Sequence, residues 1–180
     1  MIYSYRDLLK KHKNRYQIDK ALLNKEIFKL EKSIYSDKEY GNEMDIIMKK
    51  YPFSIFTMDT AFYIYGLTDV IPKKYDLAIP VNRKKIPSEK INSYYISNEF
   101  FNIGKQTINY EGATITIYDK ERMLIELVRN KKQIAYDYYK EIISNYREIS
   151  EKIEMWKLEE YLKYFKNSDS IFKTMQTEVF

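Results

Sequence analysis

The chain has 180 residues, of which 44% are hydrophobic and 32% charged, a globular composition with room for at least one core. No apolar run approaches the roughly 18 residues needed to span a bilayer, and the start MIYSYRDLLKKHK lacks the apolar centre of a signal peptide, so a soluble, cytoplasmic protein is expected. Cysteine is absent and His12 is the one histidine, which excludes disulfide frameworks, cysteine nucleophiles and the common zinc sites.

The formal net charge is +5, and its distribution says more than its size. Residues 1 to 36 carry nine Lys or Arg (Arg6, Lys10, Lys11, Lys13, Arg15, Lys20, Lys25, Lys29, Lys32) against four acids (Asp7, Asp19, Glu26, Glu31), which is the whole excess. The other 144 residues carry 22 of each sign. A small basic module beside a balanced remainder is the asymmetry expected where a chain meets a polyanion, with nucleic acid the leading partner. The nineteen tyrosines accompany a Lys-, Ile- and Asn-rich composition, so their number alone does not argue for a base-stacking surface.

Ser4, with Asp7 three residues on, makes a capping-box-like start to a short helix that carries Leu8, Leu9 and His12 and should stop near Lys13-Asn14. His12, near the end of this Lys-rich helix, reads as a surface residue. A second helix is predicted over Arg15 to Leu23, because Ile18, Ala21 and Leu22 fall at i, i+3, i+4 and leave Arg15, Tyr16, Gln17 and Lys20 outside. EIFKLEKSIYS then alternates around a Glu31-Lys32-Ser33 turn, the pattern of a small hairpin.

Helix, turn, helix, basic hairpin is the layout of a compact winged helix-turn-helix. Arg15, Tyr16, Gln17 and Lys20 would lie on the helix that enters the major groove, and Lys29 and Lys32 on the wing would touch phosphates. A solvated helical hairpin that caps the larger domain is the other reading of the same pattern.

The polar, glycine-containing stretch Ser36 to Asn42 marks a boundary, giving domains of residues 1–40 and 41–180. Beyond it, Glu43 to Lys50 should be helical with Met44, Ile47 and Met48 inward, and Phe53 to Phe56 a short strand. Thr57 or Asp59 caps a helix reaching Tyr65, with Gly66 where a left-handed cap is wanted. Thr68-Asp69 and Pro72 form the exit, and Tyr75 to Pro80 a buried strand.

Asn92 to Ile96 is another strand, and Ser97 caps a short helix ending at Gly104. Thr107 to Tyr110 and Ala113 to Tyr118 flank Glu111-Gly112, a strong hairpin signal. Asp119 caps an amphipathic helix with Met123, Leu124 and Leu127 on one side, and helical segments follow over about 134–149, 152–165 and 168–180. The fold expected is α+β: a small N-terminal winged helix-turn-helix, then an α+β domain with a small, mainly antiparallel sheet and C-terminal helices.

No motif for phosphate, nucleotide, zinc or serine-histidine chemistry is present, so no cofactor and no metal site are expected. Asp59, Asp69, Asp76, Asp119, Glu121 and Glu126 could in principle serve a metal-dependent nucleic-acid enzyme, chiefly through Asp69, Asp76 and Asp119. Their spacing favours plainer roles: Asp59 in a first helical turn, Asp69 in a turn, Asp119 as a cap, Glu126 on a solvated face. Arg122 stands where it could pair with an acid across the fold.

Three collinear stretches, YQIDKALLNKEIFKLEKSIYSD (16–37), FTMDTAFYIYGLTDVIPKKYDLAIP (56–80) and ITIYDKERMLIELVRNK (115–131), resemble the AbiEi-type antitoxins, the transcriptional regulators of type IV toxin-antitoxin systems in abortive infection and phage defence. In that family the first stretch belongs to a winged helix. The second resembles its A-x-Y-x-x-G-L-T-D-x-I-P signature, matched here at Tyr63, Gly66, Leu67, Thr68, Asp69 and Pro72, with Tyr65 just before the glycine and Asp59 just ahead of the signature counted with them. The third resembles its Y-D-x-E-R signature, carried by Asp119 and Arg122.

The resemblance implies a non-enzymatic protein that represses its own operon by binding inverted repeats of double-stranded DNA in its promoter. It also implies a C-terminal domain that opposes a cognate nucleotidyltransferase-like toxin, with or without direct binding. A protein-interaction module that does not bind DNA is the remaining alternative. Where the family closes its wing with glycine this chain has Ser33, and serine in a left-handed conformation costs roughly 1 kcal/mol, so another turn type is expected there.

Overall fold

Ser4 and Asp7 form the expected capping box in the computed structural model, which describes residues 1–180. The Asp7 N–H donates to the Ser4 hydroxyl at 3.2 Å and the Ser4 N–H to the Asp7 carboxylate at 2.9 Å, starting α1 (Tyr5–His12). α2 (Arg15–Leu23) begins where the Gln17 N–H donates to the Asn14 side chain at 2.9 Å. Leu8 of α1 and Ile18 and Ala21 of α2 are buried with Ile27 and Tyr35, and Tyr3, Tyr5 and Leu22 pack against them. His12 is half-buried, further in than a surface residue.

The hairpin of β2 (Phe28–Glu31) and β3 (Ile34–Ser36) follows, with its register shifted between Lys29 and Glu31. Ser33 adopts φ +64°, so the serine takes the left-handed conformation after all, and its carbonyl accepts the Tyr5 N–H at 3.0 Å. A third strand, β1 (Ile2–Ser4), pairs antiparallel with β3 and gives the order β1-β3-β2. Three residues are too short to show alternation, so only the partner strand reveals it.

Asn42 caps α3 (Glu43–Lys50), of whose three expected inward residues Ile47 is buried and Met44 and Met48 are partly covered. Contacts divide the chain into two compact units, Met1–Phe53 with Ile108–Ile115, and Ser54–Thr107 with Thr116–Phe180. The returning segment 108–115 joins the first unit through the Asn42 amide, donating to the Glu111 carbonyl at 3.2 Å, and the Thr114 N–H, donating to Asp45 at 3.0 Å.

The larger sheet contains β4 (Ile55–Phe56), β5 (Tyr75–Pro80), β6 (Ile91–Ile96), β7 (Lys105–Tyr110) and β8 (Ala113–Tyr118) in the order β6-β5-β4-β8-β7. β4 and β5 are antiparallel, but β5 pairs with β6, and β4 with β8, in parallel. The sheet is therefore mixed rather than mainly antiparallel. The connection 81–90 crosses back without a helix, so β6 enters beside β5 in the same direction. Glu111 and Gly112, both at positive φ (+48° and +80°), make the tight turn between β7 and β8.

Six helices complete the second unit: α4 (Met58–Ile64), α5 (Asn98–Phe101), α6 (Lys120–Arg129), α7 (Tyr136–Glu148), α8 (Met155–Leu162) and α9 (Ser168–Glu178). α6 was expected to be amphipathic, yet every residue from Glu121 to Val128 is buried. It packs against α4, α8 and α9, which leaves it no solvated face. No helix of the chain is long and apolar enough to cross a membrane.

Candidate nucleic-acid interface

Burial of Ile18 and Ala21 fixes how α2 is rolled, and so which residues it shows to solvent. Arg15, Tyr16, Gln17 and Lys20 are all exposed, Tyr16 by 75%. Tyr16 and Lys20 stand one turn apart, as do Arg15 and Asp19, whose ion pair is long at 3.7 Å and open to water. The strand alternation of β2 buries Phe28 and Leu30 partly and turns Lys29 outward, while Lys32 lies in the exposed turn to β3. The structure thus places the four α2 residues on one exposed helix surface and the two lysines on the hairpin of the same unit.

The basic excess is sharper than a count along the chain suggests. Two of the four acids in residues 1–36 are held by α3: Lys49 binds Asp7 at 2.9 Å, and Lys50 binds Glu31. The Lys49 ammonium, followed by the Ser4 N–H, holds the Asp7 carboxyl down at about 2. Lys20, Lys29 and Lys32 enter no ion pair, so they keep their full charge for an outside anion. This arrangement was not legible in sequence, because Lys49 and Lys50 lie past the expected boundary and only the packing of α3 brings them to those acids.

In the second unit, the residues singled out in the stretches 56–80 and 115–131 mostly hold backbone in place. α4 ends in a Schellman motif: the Leu67 N–H donates to the Phe62 carbonyl and the Gly66 N–H to the Tyr63 carbonyl, both at 2.9 Å, with Gly66 at φ +66°. The Tyr65 hydroxyl donates to the Tyr118 carbonyl at 2.6 Å and accepts from Gln106 at 2.8 Å. Buried Leu67 is fastened to α7 by Asn145, which donates to its carbonyl at 2.9 Å. The Thr68 hydroxyl and the Asp69 N–H both reach Glu141 of α7, at 2.7 and 3.3 Å. The Asp69 side chain is exposed, and Pro72 is partly covered.

Neither Thr57 nor Asp59 caps α4 through its side chain. Asp76 does so from β5: its carboxylate accepts the Asp59 N–H at 3.1 Å and the Asn92 amide at 2.8 Å. Asp76 is 1% exposed; burial first, and Asp59's negative charge among the lesser causes, push its carboxyl up to about 6. Asp59 is also raised, by burial, with the Tyr138 hydroxyl acting against the shift.

A cleft of about 390 Å³ opens beside these two acids, with Lys73, Lys74 and Asn92 in its lining. Asp69 points to solvent and Asp119 caps α6, accepting from the Arg122 N–H at 2.8 Å and the Tyr161 hydroxyl at 2.7 Å. Asp69, Asp76 and Asp119 thus serve separate places, and no three Asp, Glu or His side chains converge in a way that would hold a metal ion.

Arg122 is fully buried, and its partner is on its own helix rather than across the fold. It donates to Glu126 through Nε at 3.0 Å, with Nη2 2.9 Å from the same carboxylate as an ion-pair contact but without a hydrogen bond, while Nη1 donates to the Phe100 and Ile103 carbonyls at 2.8 and 3.2 Å. Glu126, expected on a solvated face, is 5% exposed and also receives Arg129 at 2.9 Å. Its two guanidinium partners account for a carboxylate buried there.

No protein-family model matches the chain, and no curated protein matches it.

Proposed function

We propose that the chain is a DNA-binding antitoxin and autorepressor of the AbiEi type, whose first unit is a winged helix-turn-helix and whose second unit opposes a nucleotidyltransferase-like toxin. The observation that carries the DNA-binding part is the exposed α2 surface of Arg15, Tyr16, Gln17 and Lys20, accompanied by unpaired Lys29 and Lys32 on the hairpin. α2 is held from behind by a small core and capped at its start, so donors are presented on a rigid element. Arg, Gln and Lys suit base edges in the major groove, and lysines on a hairpin suit phosphates.

The antitoxin part rests on the three sequence stretches shared in character with that family. The backbone-holding roles of half-buried Tyr65 and of buried Leu67, Thr68, Asp119 and Arg122 are those of a scaffold for that domain rather than of reacting groups.

The test is a gel shift against the inverted repeats upstream of the chain's own reading frame, repeated across salt concentrations. Replacing both Lys29 and Lys32 with Ala should weaken binding on all sequences alike and reduce the salt slope by about 1.8, at about 0.9 per phosphate contact. Gln17→Ala should instead relax preference at one base pair, costing about 1–3 kcal/mol there. Binding that ignores salt, or that the double lysine variant leaves unchanged, would remove the DNA-binding reading. Co-expression of the double variant with a nucleotidyltransferase-like toxin should still protect cells, and loss of protection would show that the two activities are not separately housed.

A further inference from the structure

A cleft of about 540 Å³ in the second unit, formed by the end of α6, the turn after it and one side of α9, gathers four cations. Arg129, Lys131, Lys132 and Lys166 line it against one acid, Glu178. Chain order explains the crowding: α6 ends on Arg129, the 3-10 turn Lys131–Gln133 follows at once, and the connection from α8 to α9 brings Lys166 to the same cleft.

Much of this charge has no protein partner. Lys131 is taken by Glu178. Arg129 uses Nη1 alone, on both oxygens of Glu126, at 3.0 and 2.9 Å, which leaves Nε and Nη2 without an acceptor. Lys132 and Lys166 are exposed and enter no ion pair. Like charges gathered in a cleft repel one another, and an anion that enters turns the repulsion into attraction.

Two further observations narrow the ligand. Ser170 lines the cleft beside Asn167, which begins α9 in the left-handed conformation, φ +61°, without a side-chain cap, so the first N–H groups of this eleven-residue helix have no acceptor from it. The Phe165 ring is already stacked on Phe100 at 5.5 Å and approached by the guanidinium groups of Arg122 and Arg129 at 4.8 and 4.6 Å. It has no free face for a base. The cleft therefore reads an anion with several acceptor oxygens and more than one charge, not an aromatic ring.

We propose that this cleft binds the phosphoryl group of a phosphate or phosphomonoester through Lys132, Lys166 and the free N–H groups of Arg129. Its volume lies within the range of small-molecule sites, and the proposal stands apart from the DNA-binding reading, since none of its residues belongs to the first unit.

Isothermal titration of the full chain with inorganic phosphate, adenosine monophosphate and a short 5′-phosphorylated single-stranded oligonucleotide tests it, with the 5′-hydroxyl oligonucleotide as reference. A double variant, Lys132→Gln with Lys166→Gln, should raise the dissociation constant of each phosphorylated probe by about tenfold or more, since charge-assisted bonds are lost. Lys84→Gln with Lys85→Gln, which removes as much charge elsewhere, should change nothing. The probe bound most tightly identifies the source of the phosphoryl group, and any of the three orders upholds the site. No binding of inorganic phosphate or adenosine monophosphate at millimolar concentration overturns the proposal; so does binding that survives in the first variant or falls equally in the second.

Discussion

Arg122→Ala is the substitution with the largest expected effect on the second unit. Arg122 is fully buried, and truncation removes its ion pair with Glu126 and the one hydrogen bond within it, two bonds to the carbonyls of Phe100 and Ile103, and its stacking on Tyr118 and Phe165 at 4.7 and 4.8 Å. Breaking a buried ion pair from one side costs about 3–5 kcal/mol. Arg129 still neutralises Glu126 at 2.9 Å, which softens the charge term, but the two carbonyls keep no donor from this side chain and a cavity remains.

At about 2–4 °C per kcal/mol for a chain of this size, the midpoint should fall by roughly 6–20 °C. Thermal unfolding followed by circular dichroism measures the loss, since six helices lie in the second unit. Arg122→Lys should lose most of the same energy, because an ammonium cannot serve the carboxylate and two carbonyls in one plane. A loss under about 1 kcal/mol for Arg122→Ala would mean that the buried network does not hold α5 and α6 together.

Other consequences can be measured with the same equipment. Gly104→Ala should destabilise far more than Gly66→Ala: both sit at positive φ, but a Cβ at 104 would lie 2.5 Å from the Arg122 Cβ and 2.7 Å from Asp119, whereas none at 66 meets an atom within 4 Å. Equal losses would refute the close-approach argument. Ser33→Gly should stabilise the first unit by up to about 1 kcal/mol by relieving the left-handed serine, detectable as a higher denaturant midpoint by circular dichroism.

Asp76 predicts a pH dependence of definite sign, since its carboxyl stands at about 6 in the fold against an ordinary 3.8. The folded chain holds a proton that the unfolded chain releases between those values, so stability falls as pH rises through that window and stays lower above it. The size is on the order of 3 kcal/mol, and Asp76→Asn should flatten the thermal midpoint against pH there; parallel curves for the two proteins would refute it.

Local chemistry made much of this protein legible from its sequence. The span of α2 followed from the spacing of Ile18, Ala21 and Leu22, the β7–β8 turn from Glu111-Gly112, the end of α4 from Gly66, and β5 from its apolar run between prolines. These features depend on residues a few positions apart, where capping and turn geometry decide.

The tertiary structure decided what depends on distant partners. It paired β1 with β3, ran β5 and β6 in parallel, supplied Asp76 as the cap that α4 lacks, and enclosed α6 so that Glu126 became a buried partner of Arg122 and Arg129. It also brought Lys49 and Lys50 to Asp7 and Glu31, leaving the lysines of α2 and the hairpin unpaired. A residue's charge is written in the sequence, but whether that charge is spoken for is settled only when the chain folds and its partner arrives from elsewhere.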